Sequence, residues 1–188
     1  VYFHKTVVSA ENMLIKVLKR AKELINNDVQ LYSSDSLTVF LKNNYSILDF
    51  KNDPKLLNDF AELDDFDIYL SLKKWKDNTD IILSELSKMI LNRKLLKIIV
   101  QNHKFDKSEI KIHLNKIMTK YNISQNEAEY FVFYDTVVNN TYDISKDNIN
   151  ILMKNGKIKD IASASDQFNI DVLQKKIKKY FLCYPKLK

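Results

Sequence analysis

A single glycine, Gly156, and two prolines are present among the 188 residues. Glycine supplies positive φ at no steric cost, so a chain with one glycine can contain few loops that require it. Long helices joined by Asn- and Asp-containing turns fit this composition. The same scarcity excludes the dinucleotide fingerprint GxGxxG, the P-loop and the nucleophile elbow GxSxG.

The composition is that of an ordinary folded domain rather than of a disordered or membrane-spanning chain. Hydrophobic residues make up 45% and charged residues 29% of the sequence, and the length suits one domain, or one large domain with a small appendage. No signal peptide and no apolar run of ~20 residues is present, so we expect no membrane contact. The single cysteine, Cys183, allows no intrachain disulfide and favours a reducing, cytoplasmic setting.

The net charge of +6 is modest and is spread along the chain. Lysines are scattered among acidic residues except for a group at 175–179, and Arg20 and Arg93 are the only arginines. A nucleic-acid-binding face would need a basic patch with arginine or aromatic readers, so we do not expect nucleic acid as a partner. A phosphate-bearing small molecule is equally compatible with scattered lysines.

Apolar residues at helical spacing predict that residues 1–94 are mainly helical. Residues 2–26 are predicted to form one long helix, although no Ser, Thr, Asp or Asn cap precedes it, as if the pattern were already under way when the sequence begins. Four shorter helices follow capping signals. Their predicted starts are Ser33, Ser34 or Asp35; Asp53–Pro54; Asp64 or Asp65; and Asn78 or Thr79.

Residues 95–188 are predicted to form a smaller lobe that mixes helices and strands. A capping box at Ser124–Glu127 predicts a short helix, and Asn155–Gly156 between two alternating runs predicts a β-hairpin with a type I′ turn. The other predicted elements are a strand at 95–100, a helix from Asp106, a strand at 130–138, a short helix at 168–173 and a closing strand in KKIKKYFLCYP. The predicted fold class is therefore α+β and predominantly helical.

The residues alone show no complete catalytic site. His103 and His113 occur in no HExxH motif and at no ligand spacing, so a surface or core role is the simpler interpretation. The acidic group Asp64, Asp65 and Asp67 is better explained as a helix cap with first-turn acids than as a metal site. Cys183 lies in the apolar run FLCY, where a buried and inert thiol is the usual case.

The opening stretch VYFHKTVVSAENMLIKVLKRAKEL resembles the helix that follows the catalytic core in HD-domain phosphohydrolases of the deoxynucleoside triphosphate triphosphohydrolase type. In that family a Tyr-x-His-Lys segment begins a long helix that lines the nucleotide site. The resemblance extends in order over essentially the whole chain and is strongest towards the bacterial branch. It includes LDDFDIYLSLKKW, LNRKLLKIIV, YNISQNEAEYFVF, NINILMKNGKIKDIASASDQ and KYFLCYPK.

The family is defined by a histidine, a His-Asp pair and a distant Asp that hold a metal ion, which activates water for attack on a phosphate. These ligands lie upstream of the Tyr-x-His-Lys segment, and the present sequence contains no His-Asp dipeptide. The resemblance therefore implies the C-terminal half of such an enzyme, inactive alone and without a cofactor of its own. The implied partners are an N-terminal HD lobe with a divalent metal, a nucleotide such as a dNTP, and further copies of the chain in a homo-oligomer.

The resemblance also assigns roles at the start of the chain. Tyr2 matches a tyrosine that packs against the deoxyribose of the substrate, and Phe3 lies next to a base-contacting position that is polar in a mammalian member. His4 and Lys5 match positions near an activating nucleotide, where a lysine neutralises phosphate oxygens as a point charge. A solvated helix lysine remains an equal interpretation of Lys5.

Lysines around the last strand and the hairpin suggest either an oligomer or effector surface or, more simply, a solvated strand face. They are Lys157, Lys159, Lys176 and Lys178. The alternative to an enzyme fragment is a non-catalytic module that binds another protein or, weakly, nucleic acid.

Overall fold

The computed structural model describes residues 4–139, 149–160 and 177–186, which form eight helices and two antiparallel sheets. The predicted class, α+β and predominantly helical, is confirmed. The helices are α1 (Lys5–Asn26), α2 (Asp35–Lys42), α3 (Ile47–Asn52), α4 (Pro54–Ala61), α5 (Asp65–Trp75), α6 (Ile81–Leu91), α7 (Lys107–Tyr121) and α8 (Gln125–Ala128). The strands are β1 (Lys97–Gln101), β2 (Phe133–Asn139), β3 (Asn150–Leu152), β4 (Ile158–Asp160) and β5 (Ile177–Tyr184).

Four of the eight described helices begin where a capping side chain predicts a start. Ser34, Asp53, Asp64 and Ser124 each accept hydrogen bonds from backbone N–H groups of the first turn, which otherwise have no partner. Helix α3 was not predicted. It is only six residues long, contains no buried residue, and begins with a capping box between Ser46 and Asp49.

The predicted cap of α6 is wrong by one or two residues. The carboxylate of Asp80, rather than Asn78 or Thr79, accepts a hydrogen bond from the Leu83 N–H at 2.8 Å. Asn78 instead accepts a hydrogen bond from the backbone N–H of Asp80. The amide of Asn78 thus orders the turn before the helix, and the carboxylate of Asp80 begins the helix itself.

Helix α1 lies at the centre of the helical part, with its buried side packed against α2, α6 and β1. Val8, Met13, Val17, Ala21 and Leu24 recur at helical spacing on that side and are buried. The helix begins at Lys5 rather than at residue 2 as predicted, because His4 is an N-cap with an extended backbone. The side chain of His4 makes no capping hydrogen bond.

The larger sheet has the order β1–β5–β2, so β5 lies in the middle and is antiparallel to both neighbours. Its register aligns Ile98, Cys183 and Phe133 in one row, and all three are buried. Because alternate residues of a strand face opposite sides, Leu182 and Tyr184 lie on the other face. Helix α7 packs on that second face. The predicted strand at 130–138 is shortened, because residues 130–132 are buried before the ladder begins at Phe133.

The predicted hairpin is present, but its predicted type I′ turn is wrong. Strands β3 and β4 pair as far as Leu152 and Ile158. The Gly156 N–H donates to the Met153 carbonyl at 2.9 Å, and Gly156 has φ of 77°. Asn155 does not have the positive φ that a type I′ turn requires at its first central position. The loop is instead of the three-residue kind, in which a turn is followed by a left-handed glycine.

A single cluster of buried hydrophobic residues runs through both halves of the chain, from Val8 to Cys183. Because this cluster contains residues from both sides of residue 94, it marks no boundary there. The division at residue 94 into a helical part and an α+β lobe stays a prediction. The short helix predicted at 168–173 lies outside the described residues. In the described ranges, no helix is both long and apolar enough to cross a membrane.

Candidate functional site

The start of α1 contains two of the four residues that the sequence assigns to a nucleotide site. His4 and Lys5 are both exposed at the first turn of the helix. The backbone carbonyl of His4 accepts a hydrogen bond from the Val8 N–H at 3.1 Å, and α1 begins at Lys5. Within the described residues neither side chain has an ion pair or hydrogen bond. Both are therefore accessible to a ligand. Tyr2 and Phe3 lie outside the described residues.

The position of this helix start is fixed by buried contacts that begin about one turn further along α1. The hydroxyl of Ser9, which is buried, donates to the Leu96 carbonyl at 2.9 Å. The Leu96 N–H in turn lies 3.3 Å from the Met13 sulfur. These two contacts attach the connection between α6 and β1 to α1. The exposed turn that carries His4 and Lys5 is therefore held on a buried anchor rather than on a free helix end.

Further along α1, three cationic side chains surround the ring of Tyr130. Lys16, Lys19 and Arg20 place their charged groups 5.6, 5.9 and 5.7 Å from its centroid. Burial lowers the pKa of Lys16, with Lys19 acting in the same direction, and burial raises the pKa of Tyr130. Sequence reasoning missed this cluster because Tyr130 is distant in sequence and reaches α1 only through the fold.

The acidic group before α5 is a cap, as predicted. Asp64 accepts from the Phe66 N–H at 2.7 Å, and the carboxylate of Asp67 accepts from the Asp64 N–H at 2.9 Å. Hydrogen bonds from the Ser34 side chain and the Asp64 backbone lower the pKa of Asp67. Both carboxylates are thus engaged by the start of α5, and that of Asp67 also by Ser34, which caps α2. Across the described ranges, no group of three or more His, Cys, Asp or Glu residues is arranged to hold a metal ion.

Cys183 is buried in the central strand, and burial raises its pKa to about 12. His113 stacks on Tyr184 with the ring centroids 3.8 Å apart, and its pKa is lowered mainly by burial. Because Cys183 and Tyr184 are neighbours in a strand, their side chains face opposite sides of the sheet. His113 therefore does not lie beside the thiol. His103 is exposed and its Nδ1 lies 3.3 Å from the Lys104 carbonyl, so of the two predicted roles, surface or core, the structure shows the surface one.

Exposed apolar side chains are concentrated on α3, α4 and α5. Ile47 and Phe66 are the most exposed, at 76% and 80% of their full accessible surface. Leu48, Leu57, Phe60 and Tyr69 are exposed on the same three helices. Large exposed apolar areas mark interaction surfaces in many proteins. The sequence pattern did not reveal this surface, because these residues repeat at the same helical spacing as core residues.

The chain resembles known proteins in sequence and in fold. No family model matches it. Over 172 residues it is 29% identical to YwfO, an uncharacterized protein of Bacillus subtilis. The aligned region covers 88% of this chain and 37% of YwfO.

Among solved structures, the chain is similar to a phosphohydrolase from Bacteroides thetaiotaomicron, with a TM-score of 0.83 and 42% sequence identity. The match covers 99% of this chain and 46% of that structure. The chain thus spans less than half the length of each of these two relatives. It shares the fold of the corresponding part of a bacterial phosphohydrolase.

Proposed function

We propose that the chain forms part of a metal-dependent phosphohydrolase of the HD type that acts on nucleoside triphosphates. The observation that carries this proposal is the match to the Bacteroides phosphohydrolase, which combines 42% identity with a TM-score of 0.83 over 99% of the chain. Such identity over a whole chain favours a shared biochemical role as well as a shared fold. The ordered resemblance to deoxynucleoside triphosphate triphosphohydrolases adds the substrate class.

In this proposal, the start of α1 forms one wall of the nucleotide pocket. Tyr2 contacts the sugar and Phe3 lies beside the base. His4 and Lys5 contact phosphate groups of a substrate or effector nucleotide. The support for this role is the exposure of His4 and Lys5 and the lack of an ion pair for Lys5 in the described part of the chain. An ammonium group without a protein partner is free to neutralise phosphate oxygens.

A divalent metal would supply the activated water in such an enzyme. The residues that the structure describes do not fit that metal, because no set of three suitable ligands lies together. We therefore assign no step of the hydrolysis to the residues of this chain, and we expect the metal ligands in a separate HD lobe. We also propose that the protein forms a homo-oligomer, and this part of the proposal rests on the family resemblance alone.

A hybrid protein tests the proposal directly. The present chain would replace the matching 46% of the Bacteroides phosphohydrolase, and hydrolysis of a panel of dNTPs would be measured with Mg²⁺ or Mn²⁺. We expect metal-dependent hydrolysis by the hybrid and none by the 188-residue chain alone. Folding of the hybrid is checked by circular dichroism and gel filtration. A folded hybrid that hydrolyses no nucleotide, under conditions where the parent enzyme does, would contradict the proposal.

The role of Lys5 is tested in the same hybrid. Lys5→Ala removes a charge at the start of α1, whereas Lys55→Ala removes a similarly exposed lysine from the first turn of α4. We expect Lys5→Ala to raise KM, or the nucleotide concentration needed for activation, about fivefold, since a single phosphate contact contributes about 1 kcal/mol. Lys55→Ala should change neither quantity. Equal KM values and activation concentrations in the two variants would show that Lys5 is a solvated helix residue and contacts no phosphate.

A further inference from the structure

The C-terminal part of the fold contains a cavity that none of the assigned residues at the start of α1 lines. It has a volume of about 400 Å³ and lies between the first turn of α7 and strands β2 and β5. Ligand pockets in proteins range from ~300 to ~1,000 Å³, so the space is sufficient for a small molecule. We call it the lobe cavity.

Three lysines from three different parts of the chain meet at the lobe cavity. Lys104 precedes α7, Lys107 begins it and Lys178 lies on β5. In the described ranges none of the three has an ion pair. Among the described residues that line the cavity, Asp135 is the only acidic one, and its carboxylate accepts a hydrogen bond from the Thr136 N–H at 2.6 Å. The cavity therefore carries a surplus of two positive charges.

Aromatic rings form the walls between these lysines. Tyr134 and Tyr180 lie on the same face of the sheet, because Tyr180 pairs with Thr136 and Tyr134 lies two residues from that position. The ammonium group of Lys178 lies 5.5 Å from the Tyr180 ring centroid. Tyr134 is 60% exposed, so one of its ring faces remains available. A planar group can stack on such a ring while the lysines hold an attached anion.

We infer that the lobe cavity binds a phosphorylated small molecule that contains a planar ring, of the mononucleotide kind. The lysines account for the phosphate, and the tyrosines account for the ring. The inference does not depend on the proposed enzymatic function, because the cavity and the start of α1 share no residue. The two proposals are therefore tested by different variants.

The binding experiment uses the 188-residue chain and isothermal titration calorimetry with three probes. The probes are adenosine monophosphate, inorganic phosphate and adenosine. We expect the nucleotide to bind at least about tenfold more tightly than either part alone, because charge and stacking contribute together. Binding of inorganic phosphate as tight as that of the nucleotide would overturn the role of the rings. The absence of nucleotide binding at millimolar concentration would overturn the proposal.

Variants locate the site. Lys107→Ala and Lys178→Ala should each weaken nucleotide binding about three- to fivefold, and the double variant more than about tenfold. Lys111→Ala is the matched control, because Lys111 is exposed on the same helix and lines no part of the cavity. Tyr180→Leu should weaken the nucleotide but not phosphate. Loss of binding in Lys5→Ala but not in Lys107→Ala would place the nucleotide at α1 and refute the lobe cavity.

Polyanions provide the remaining comparison. If the lysines belonged to a nucleic-acid surface rather than to a small-molecule site, a single-stranded oligonucleotide would bind more tightly than the mononucleotide, with a steep dependence on salt. We expect the opposite order, because a volume of about 400 Å³ suits one small molecule and the three lysines meet at this one cavity. Tighter binding of the oligonucleotide would therefore contradict the inference.

Discussion

Arg20 on α1 and Asp80 at the start of α6 form a bidentate ion pair. Arg20 Nη2 lies 2.6 Å from Asp80 Oδ2 and Arg20 Nε lies 3.2 Å from Asp80 Oδ1, and the two side chains are only 18% and 16% exposed. The same carboxylate caps α6 through Oδ1, which accepts from the Leu83 N–H. One aspartate thus joins the two helices at the centre of the fold and begins one of them.

Removal of the Asp80 carboxylate should therefore destabilise the protein through two losses, that of the ion pair with Arg20 and that of the cap of α6. We expect Asp80→Ala to lower the free energy of unfolding by about 3 kcal/mol, from a charged hydrogen bond and a lost cap. Asp80→Asn retains the cap and should cost about half as much. Urea denaturation measures both changes. Asp77→Asn, at a position whose side chain is 75% exposed, is the control and should be neutral. Equal losses in Asp80→Asn and Asp77→Asn would show that the ion pair contributes nothing.

The stability of the protein should depend on pH through His113. Its ring stacks on Tyr184, and burial, with Lys116 and Lys97 acting alike and Glu109 opposing, holds its pKa below the ordinary value of 6.5. The unfolded chain then binds the proton more tightly than the folded one. The contribution of His113 to the free energy of unfolding is complete above the pKa that His113 has in the unfolded chain. This contribution is lost as the pH falls from there through the lower pKa of His113 in the folded protein.

We accordingly expect the free energy of unfolding to fall as the pH is lowered from about 7.5 through and below the ordinary histidine pKa, and His113→Gln to flatten that slope. The comparison of slopes matters, since the substitution also removes the stacking contact at every pH. His103→Gln, at an exposed ring in the loop before α7, is the matched control. A slope that flattens equally in both variants would show that the burial of His113 is not its cause.

Helix starts were predictable because their causes are local. At Ser34, Asp53, Asp64 and Ser124, one side chain and the N–H groups within three residues decide the boundary. Asn78, Thr79 and Asp80 are three acceptable caps in succession, and the sequence does not rank them. Arg20, 60 residues away, adds its ion pair to Asp80, and such a long-range contact has no signature in the local pattern.

The candidate sites were predictable to different degrees for the same reason. His4 and Lys5 were named from a family resemblance over adjacent residues; the structure shows that both are exposed at the start of α1, and their role in a nucleotide site stays a prediction. The lobe cavity depends on β5 lying beside β2, which places Tyr180 opposite Thr136, with Tyr134 and Lys178 each two residues from that pair along their own strand. The sequence predicted both strands but not their pairing, and the pairing creates the cavity.

Cys183 should be unreactive in the folded protein. The thiol is fully buried between Ile98 and Phe133, and its pKa of about 12 leaves almost no thiolate at neutral pH. We expect iodoacetamide to label Cys183 only as fast as the protein unfolds. Ser108→Cys provides an exposed thiol on α7 as an internal control that should react at once. Rapid labelling of two thiols in folded Ser108→Cys would contradict the burial of Cys183.

The single glycine can be tested for the backbone conformation that it supplies. Gly156 has φ of 77°, and a Cβ built there meets no atom within 4 Å, so the cost of Gly156→Ala is conformational rather than steric crowding. An L-residue in the left-handed region costs ~1 kcal/mol, and asparagine tolerates it better than alanine. We expect Gly156→Ala to weaken the β3–β4 pairing and Gly156→Asn largely to preserve it. Cross-strand nuclear Overhauser contacts between Leu152 and Ile158 measure this. Undiminished contacts in Gly156→Ala would mean that the strands, not the turn, determine the hairpin.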